Sequence, residues 1–176
     1  MAKVTFDNRN NQFYQSLKIA VDQYFEARQI KKTGDWRLYI KTITLVGAAI
    51  IIYGSLMFFK INTLPALLLC AVLGFIFACI GFSVMHDANH GSYSTKQWIN
   101  DGLGLTANAL GASSFFWKQK HNIIHHTYTN VDGIDDDIEI KPYLRMCSTQ
   151  KLHKLHRFQH YYVWFLYTML HLIWIF

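Results

Sequence analysis

A chain of 176 residues with a formal net charge of +6 has room for one domain. Of its residues 52% are hydrophobic, and these are gathered into blocks, which is how a membrane protein reads. Charged residues are sparse at 16%, with no charge run and no nucleic-acid motif, so the basic excess is read as loops facing anionic lipid and nucleic acid is excluded as a partner.

The first residues, 1–9, are polar, so no cleavable signal peptide is expected. Over residues 11–30 the apolar Phe13, Leu17, Val21, Tyr24 and Phe25 recur at helical spacing, with Lys18, Asp22, Glu26 and Arg28 on other faces. This predicts an amphipathic helix lying on the membrane or on the protein's own cytoplasmic face. Lys31, Lys32, Thr33, Gly34 and Asp35 end it, with Gly34 suited to a C-cap and Asp35 to the next N-cap.

Residues 42–59 form a nearly uncharged run that, at 1.5 Å per residue, reaches about 27 Å, close to the thickness of a hydrocarbon core. A polar turn, Lys60-Ile61-Asn62-Thr63, leads to a second run over residues 64–85, with Pro65 in the first turn, where proline is tolerated. The two predict a hairpin of spans. Lys31, Lys32, Arg37 and Lys41 precede it and Lys96, Lys118 and Lys120 follow it, while only Lys60 lies in the turn. By the positive-inside rule the N-terminus and everything just after the second span are cytoplasmic.

Residues 99–117 are apolar but carry Asn100, Asp101 and Asn108, and are rich in small residues such as Gly102, Gly104, Ala107 and Ala109. The expectation is a half-embedded helix that returns to its own side, with small residues that permit close helix approach or leave room for a ligand chain. Residues 131–148 are polar, and Asp135, Asp136 and Asp137 read either as partners for histidine N–H groups or as a solvated loop, with the loop preferred. His153, His156 and His160 read as a basic surface helix in preference to further members of a metal site, and residues 161–176 form a third span in which His171 reads as a buried, hydrogen-bonded residue in preference to a ligand. That span ends on Trp-Ile-Phe with no polar flank, so the sequence reads as a piece of a longer protein. Cys70, Cys79 and Cys147 have no CxxC spacing and read as small buried hydrophobes. The expected fold is all-α: an integral membrane helical bundle with a cytoplasmic histidine cap. It divides into a juxtamembrane segment, 1–41, and a membrane domain, 42–176.

The chemistry is concentrated in two clusters, His86-Asp87-Ala88-Asn89-His90 and His121-Asn122-Ile123-Ile124-His125-His126. His86 and His90 stand at i, i+4, so on a helix their side chains start about 5–6 Å apart on one face and can reach one metal ion. His121 and His125 repeat that spacing. His126 is turned about 100° from His125 on a regular helix, so the second cluster can present ligands to two metals. Ionisable groups near membrane depth are costly, which makes five imidazoles there a metal site, and imidazole suits iron, copper and zinc. Asp87, Asn89 and Asn122 sit beside these histidines and can orient imidazole N–H groups or serve as caps and loop polarity.

HDANH at 86–90 and HNIIHH at 121–126, each after a membrane-associated segment, resemble the first two histidine boxes of the membrane fatty acid desaturases. The surrounding MHDANHGSYS and KHNIIHHTYTN, followed by DGIDDDIE, are most similar to the bacterial linoleoyl-CoA-type (front-end) members. The resemblance implies an enzyme with two iron ions held in part by His86, His90, His121, His125 and His126. With O2 as co-substrate it would remove two hydrogens from the acyl chain of an acyl-CoA or acyl-lipid. It implies the bacterial inner membrane, a membrane-lipid setting and a separate electron donor of ferredoxin or cytochrome b5 type. The family's third box, H/Q-x-x-H-H, has no match here, since HKLHRFQH at 153–160 has the wrong spacing. The 176-residue piece alone is therefore expected to be inactive. A histidine-box hydroxylase shares the chemistry up to hydrogen abstraction, and a truncated, non-catalytic membrane protein is the non-enzymatic alternative. A zinc protease needs glutamate where Asp87 stands.

Overall fold

The computed structural model describes residues 4–5 and 11–175, with side chains as far as Met169. Every regular element among the described residues is helical. The first helix, α1 (Gln12–Ala27), buries none of its residues and exposes Phe13, Tyr14, Leu17 and Val21. It ends earlier than the sequence suggests, because Gln29 takes the left-handed conformation at φ +51°. Gly34 is thus no C-cap. Its N–H donates to the Ser92 carbonyl (3.3 Å), and a Cβ there would collide with the Leu38 side chain.

Asp35 does cap the next helix, accepting the Arg37 N–H at 2.9 Å. That helix, α2 (Trp36–Phe58), begins six residues before the apolar run, since a cap sets where a helix starts and apolarity only marks where it can enter lipid. The third, α3 (Thr63–Ile80), runs on through a π-helical turn (Gly81–Met85) into α4 (His86–Asn89). Both α2 and the continuous Thr63–Asn89 helix are long and apolar enough to cross a membrane. They pack as a hairpin around Ala49, Leu73, Ile76, Ile80, Val84 and Ala88. Their outward faces leave Ile43, Ile50, Ile51, Phe75 and Phe82 exposed, which water would penalise and lipid would not. Cys70 lies exposed on α3, and Cys79 and Cys147 are only partly covered. All three are free, and none is the buried hydrophobe expected.

Tyr93 locks the chain beyond α4 to the hairpin. It is wholly buried, donates to Thr42 Oγ1 at 2.7 Å, and meets the Tyr39 ring edge-on at 5.1 Å. Asn100, also buried, folds the intervening loop. Its Oδ1 accepts the Ser94 N–H (2.9 Å) and its Nδ2 donates to the Ser94 and Gly91 carbonyls (2.8 and 3.3 Å).

The expected single helix over 99–117 is instead three: α5 (Gln97–Gly104), α6 (Thr106–Ala109) and α7 (Ser114–Trp117). Gly111 at φ +88° ends α6, and Ser113 caps α7 by accepting the Phe116 N–H. Two bends in so short a stretch turn the chain back to α4. Beyond a second π-helical segment and a long loop, α8 (Gln159–Ile175) closes the described chain. The reading of His171 lies outside the described side chains.

Candidate metal centre

Each histidine cluster sits at a π-helical turn, one at Gly81–Met85 just before His86 and the other at Lys118–His125. A π turn closes its hydrogen bonds from i to i+5, so residues five apart come nearly over one another, and such turns recur at functional sites. On a regular helix His126 would point well away from His121. Here the wider turn gathers the second cluster, with the His121 ring centre 5.0 Å from that of His125 and 5.0 Å from that of His126. The fan of ligands read from regular helix geometry is narrower than expected.

The two clusters meet. His86 and His90 rings lie 4.5 Å apart, and His121 is 5.3 Å from His86 and 5.2 Å from His90. His90 also reaches His126 at 4.9 Å. The buried Trp117 stacks on His121 at 4.4 Å and meets the His86 and His90 rings in T-shaped contacts at 5.6 and 5.5 Å. Two groups of ligand-type atoms result, each within 4.8 Å: His86, His90 and His121, and His121, His125 and Asp137. His121 belongs to both.

Asp137 exposes a misreading of the acidic loop. Of the three consecutive aspartates only Asp136 is solvated, pairing with Lys120 at 3.2 Å. Asp135 is fully buried, with its Oδ1 and Oδ2 3.0 and 3.1 Å from His125 Nδ1, and Asp137 lies 3.4 Å from His121 Nδ1 and 3.3 Å from His125 Nδ1. A turn of 3-10 helix, Asp136–Ile138, separates their directions. Burial alone would raise the Asp135 carboxyl, but the Asn130 N–H, the His125 ring and the Asp137 N–H outweigh it and hold it below the usual carboxylate range. Asp87 lies 3.3 Å from His86 Nδ1, so it faces an imidazole as the sequence allows.

Asn89 and Asn122 do something else. Among the described residues neither hydrogen-bonds an imidazole. Asn89 is buried, and its Oδ1 accepts the Ser114 hydroxyl at 2.9 Å while its backbone carbonyl accepts Asn122 Nδ2 at 2.9 Å. The pair ties α4 to α7 and to the π segment that carries the second cluster. Asn122 Oδ1 is buried without a hydrogen-bond partner. A Cβ on Gly104 would collide with Asn89 Oδ1 and lie 3.1 Å from its Cγ. Gly104→Ala must therefore displace a side chain held by Ser114. It is expected to cost about 1–3 kcal/mol, seen as a lower melting temperature in detergent. An unchanged melt would show that the tie is slack.

His156, expected on a surface helix, is buried and structural. Its Nε2 donates to the Pro142 carbonyl at 2.8 Å and its Nδ1 accepts the His153 N–H at 3.2 Å. His153 and His160 are exposed, and none of the three belongs to a ligand group.

Burial, with repulsion from His86, His121 and His126, pushes His90 down to about 4, and burial likewise lowers His121 against the pull of Asp137. Neutral imidazole is the form that binds metal. The shift also carries a sign for stability. Unfolded imidazoles take up protons near pH 6.5 while the native ones resist until lower pH, so acidification from about 6.5 to about 4 favours unfolding. The metal-free protein should melt at a lower temperature at pH 5 than at pH 7.5, and His90→Gln should shrink the gap. Equal melting at both pH values would contradict the burial of these rings.

A model of the family described as "Fatty acid desaturase" matches residues 61–176. The sn-1 linoleoyl-lipid 6-desaturase of Arthrospira platensis is 37% identical over 98% of this chain and 47% of its own length. The protein of the same name from Synechocystis sp. is 36% identical over 92% of this chain and 45% of its own. The acyl-lipid (8-3)-desaturase of Physcomitrium patens is 34% identical over 93% and 35%. The chain spans about half the length of the first of these relatives, or less. No solved structure matches it.

Proposed function

This chain belongs to the fatty acid desaturase family, and from that premise we propose that it carries part of the iron centre of an acyl-lipid desaturase. The observation behind this reading is the convergence of five imidazoles, with ligand atoms of His86, His90 and His121 within 4.8 Å of one another and His125 and His126 packed on His121. The donor set fits the metal, since neutral imidazoles suit iron. His86, His90, His121, His125 and His126 hold two irons, and further ligands come from the rest of a protein about twice this length. Bound there, the iron pair supplies the oxidising power, drawn from O2, that removes two hydrogens from an unactivated acyl chain.

The chain's own residues prepare that site. His90 stays neutral above about pH 4, so protons do not compete for its lone pair at neutral pH. Trp117, packed on three of the imidazoles, excludes water from that side of the cluster. The membrane arrangement proposed is a bundle in which α2, the Thr63–Asn89 helix and α8 cross the bacterial inner membrane. Residues 1–41 form a juxtamembrane segment with α1 on the cytoplasmic face, beside the N-terminus and the histidines, and the membrane domain starts at 42. The relatives' names favour a lipid-esterified chain over acyl-CoA. Electrons come from a separate ferredoxin or cytochrome b5-type carrier.

The test is to express the full-length protein in a bacterial host that makes linoleoyl lipids and to analyse fatty acid methyl esters. One added double bond is expected. A hydroxylated chain would make the protein a hydroxylase, and unchanged lipids from iron-loaded protein would remove the enzymatic reading. Residues 1–176 expressed alone should give no product.

A further inference from the structure

The geometry points to Asp135 as the positioning residue of the second histidine cluster, the group that fixes His125 so that Nε2, and not Nδ1, faces the metal. The inference rests on the proposed iron centre. Nothing in the relatives' names touches this residue.

Asp135 is fully buried, and its two oxygens receive three sets of contacts. Oδ2 accepts the Asn130 N–H at 2.7 Å and Oδ1 accepts the Asp137 N–H at 3.1 Å. His125 Nδ1 stands 3.0 and 3.1 Å from the two oxygens. A carboxylate that accepts from backbone donors on both oxygens is an acceptor only. His125 Nδ1 must then be the protonated nitrogen, and the lone pair is left on Nε2. Asp137, 3.3 Å from the same Nδ1 and 3.4 Å from His121 Nδ1, draws those nitrogens to the same side. The grouping of His121, His125 and Asp137 therefore reads as a hydrogen-bonded carboxylate clamp behind the imidazoles, and not as a second set of ligands. Asp87, 3.3 Å from His86 Nδ1, repeats the arrangement in the first cluster. A carboxylate behind a metal-binding imidazole fixes its tautomer and ring orientation, and changing such a partner typically lowers metal affinity about 10–100-fold.

The experiment uses the full-length protein purified in detergent, with Asp135→Asn compared against wild type and against Asp136→Asn at the exposed neighbour. Iron per chain, Fe2+ affinity and the visible spectrum of the Co2+-loaded protein are measured beside the melting temperature. The expected result is that Asp135→Asn melts near wild type, binds Fe2+ about 10–100-fold more weakly and shifts the cobalt bands, while Asp136→Asn does none of this. A folded Asp135→Asn with wild-type iron affinity and cobalt spectrum would overturn the proposal. Should Asp135→Asn fail to fold, the comparison moves to His125→Ala with and without Asp135→Asn. Equal folding and iron content in those two variants supports action through His125, and loss of folding in the double variant overturns it. Wild-type protein that binds no iron would overturn the iron centre itself, a different result from wild-type affinity in Asp135→Asn.

Discussion

His121→Ala is expected to strip both metals from the full-length protein, whereas His90→Ala leaves part of the complement in place. His121 is the member common to both ligand groups and the ring in contact with all four other imidazoles. His90 belongs to one group only. Loss of a supporting partner weakens a site about 10–100-fold, and loss of His121 removes a ligand from one site and, from the other, the ring against which its imidazoles pack, so it should exceed that range. Desaturated product should then fall below detection. His121 carries no burden in the apolar core, which is built around Leu73, Ile76, Ile80 and Val84, so the variant should still fold. Metals per chain, measured with a melting curve as control, decide the matter. Equal metal content in His121→Ala and His90→Ala would show that His121 does not join the two clusters.

The five histidines were legible because their spacing repeats at helical intervals and because apolar blocks set them off. The hairpin was legible for the second reason alone. What the sequence hid depends on long-range or sub-helical geometry. Nothing in Lys118-Gln119-Lys120-His121 announces bonding from i to i+5, yet that turn is what brings His126 back over His121. Three aspartates in a row look alike in sequence. Only a 3-10 turn, with Asp135 accepting the Asp137 N–H two residues on, sends 135 and 137 inward and 136 outward. His156 looked like a surface residue because its partner, the Pro142 carbonyl, lies fourteen residues away in the chain. Small residues over 99–117 suggested one closely packed helix. The side-chain caps at Asn108 and Ser113, which take the Ser114 and Phe116 N–H groups, compete with helix continuation and break it. The acidic DGIDDDIE follows the second cluster closely enough for a single turn to return its carboxylates to the histidines, which left them open as imidazole partners, but nothing in the sequence weighed that against a solvated loop.

Asn89→Ala should uncouple the two clusters, and its interaction with Gly104→Ala tests why. The Asn89 amide fills the space beside Gly104 and accepts the buried Ser114 hydroxyl, so one side chain joins α4, α5 and α7. Removing it leaves Ser114 with an unsatisfied buried hydroxyl and a void against Gly104, a loss of about 1–3 kcal/mol for the hydrogen bond. The second cluster is carried on the helix that Ser114 begins, so loosening this joint lets His121 drift from His86 and His90. Metal content should fall together with the melting temperature. In wild type, Gly104→Ala collides with Asn89 and costs about as much. In the Asn89→Ala background the colliding atoms are gone, and a methyl group at 104 partly refills the void. The second substitution should then be nearly neutral, giving a coupling of about 1–2 kcal/mol between the two positions. Additive losses would mean that Gly104 is required for some contact other than Asn89, and that the joint between the clusters lies elsewhere.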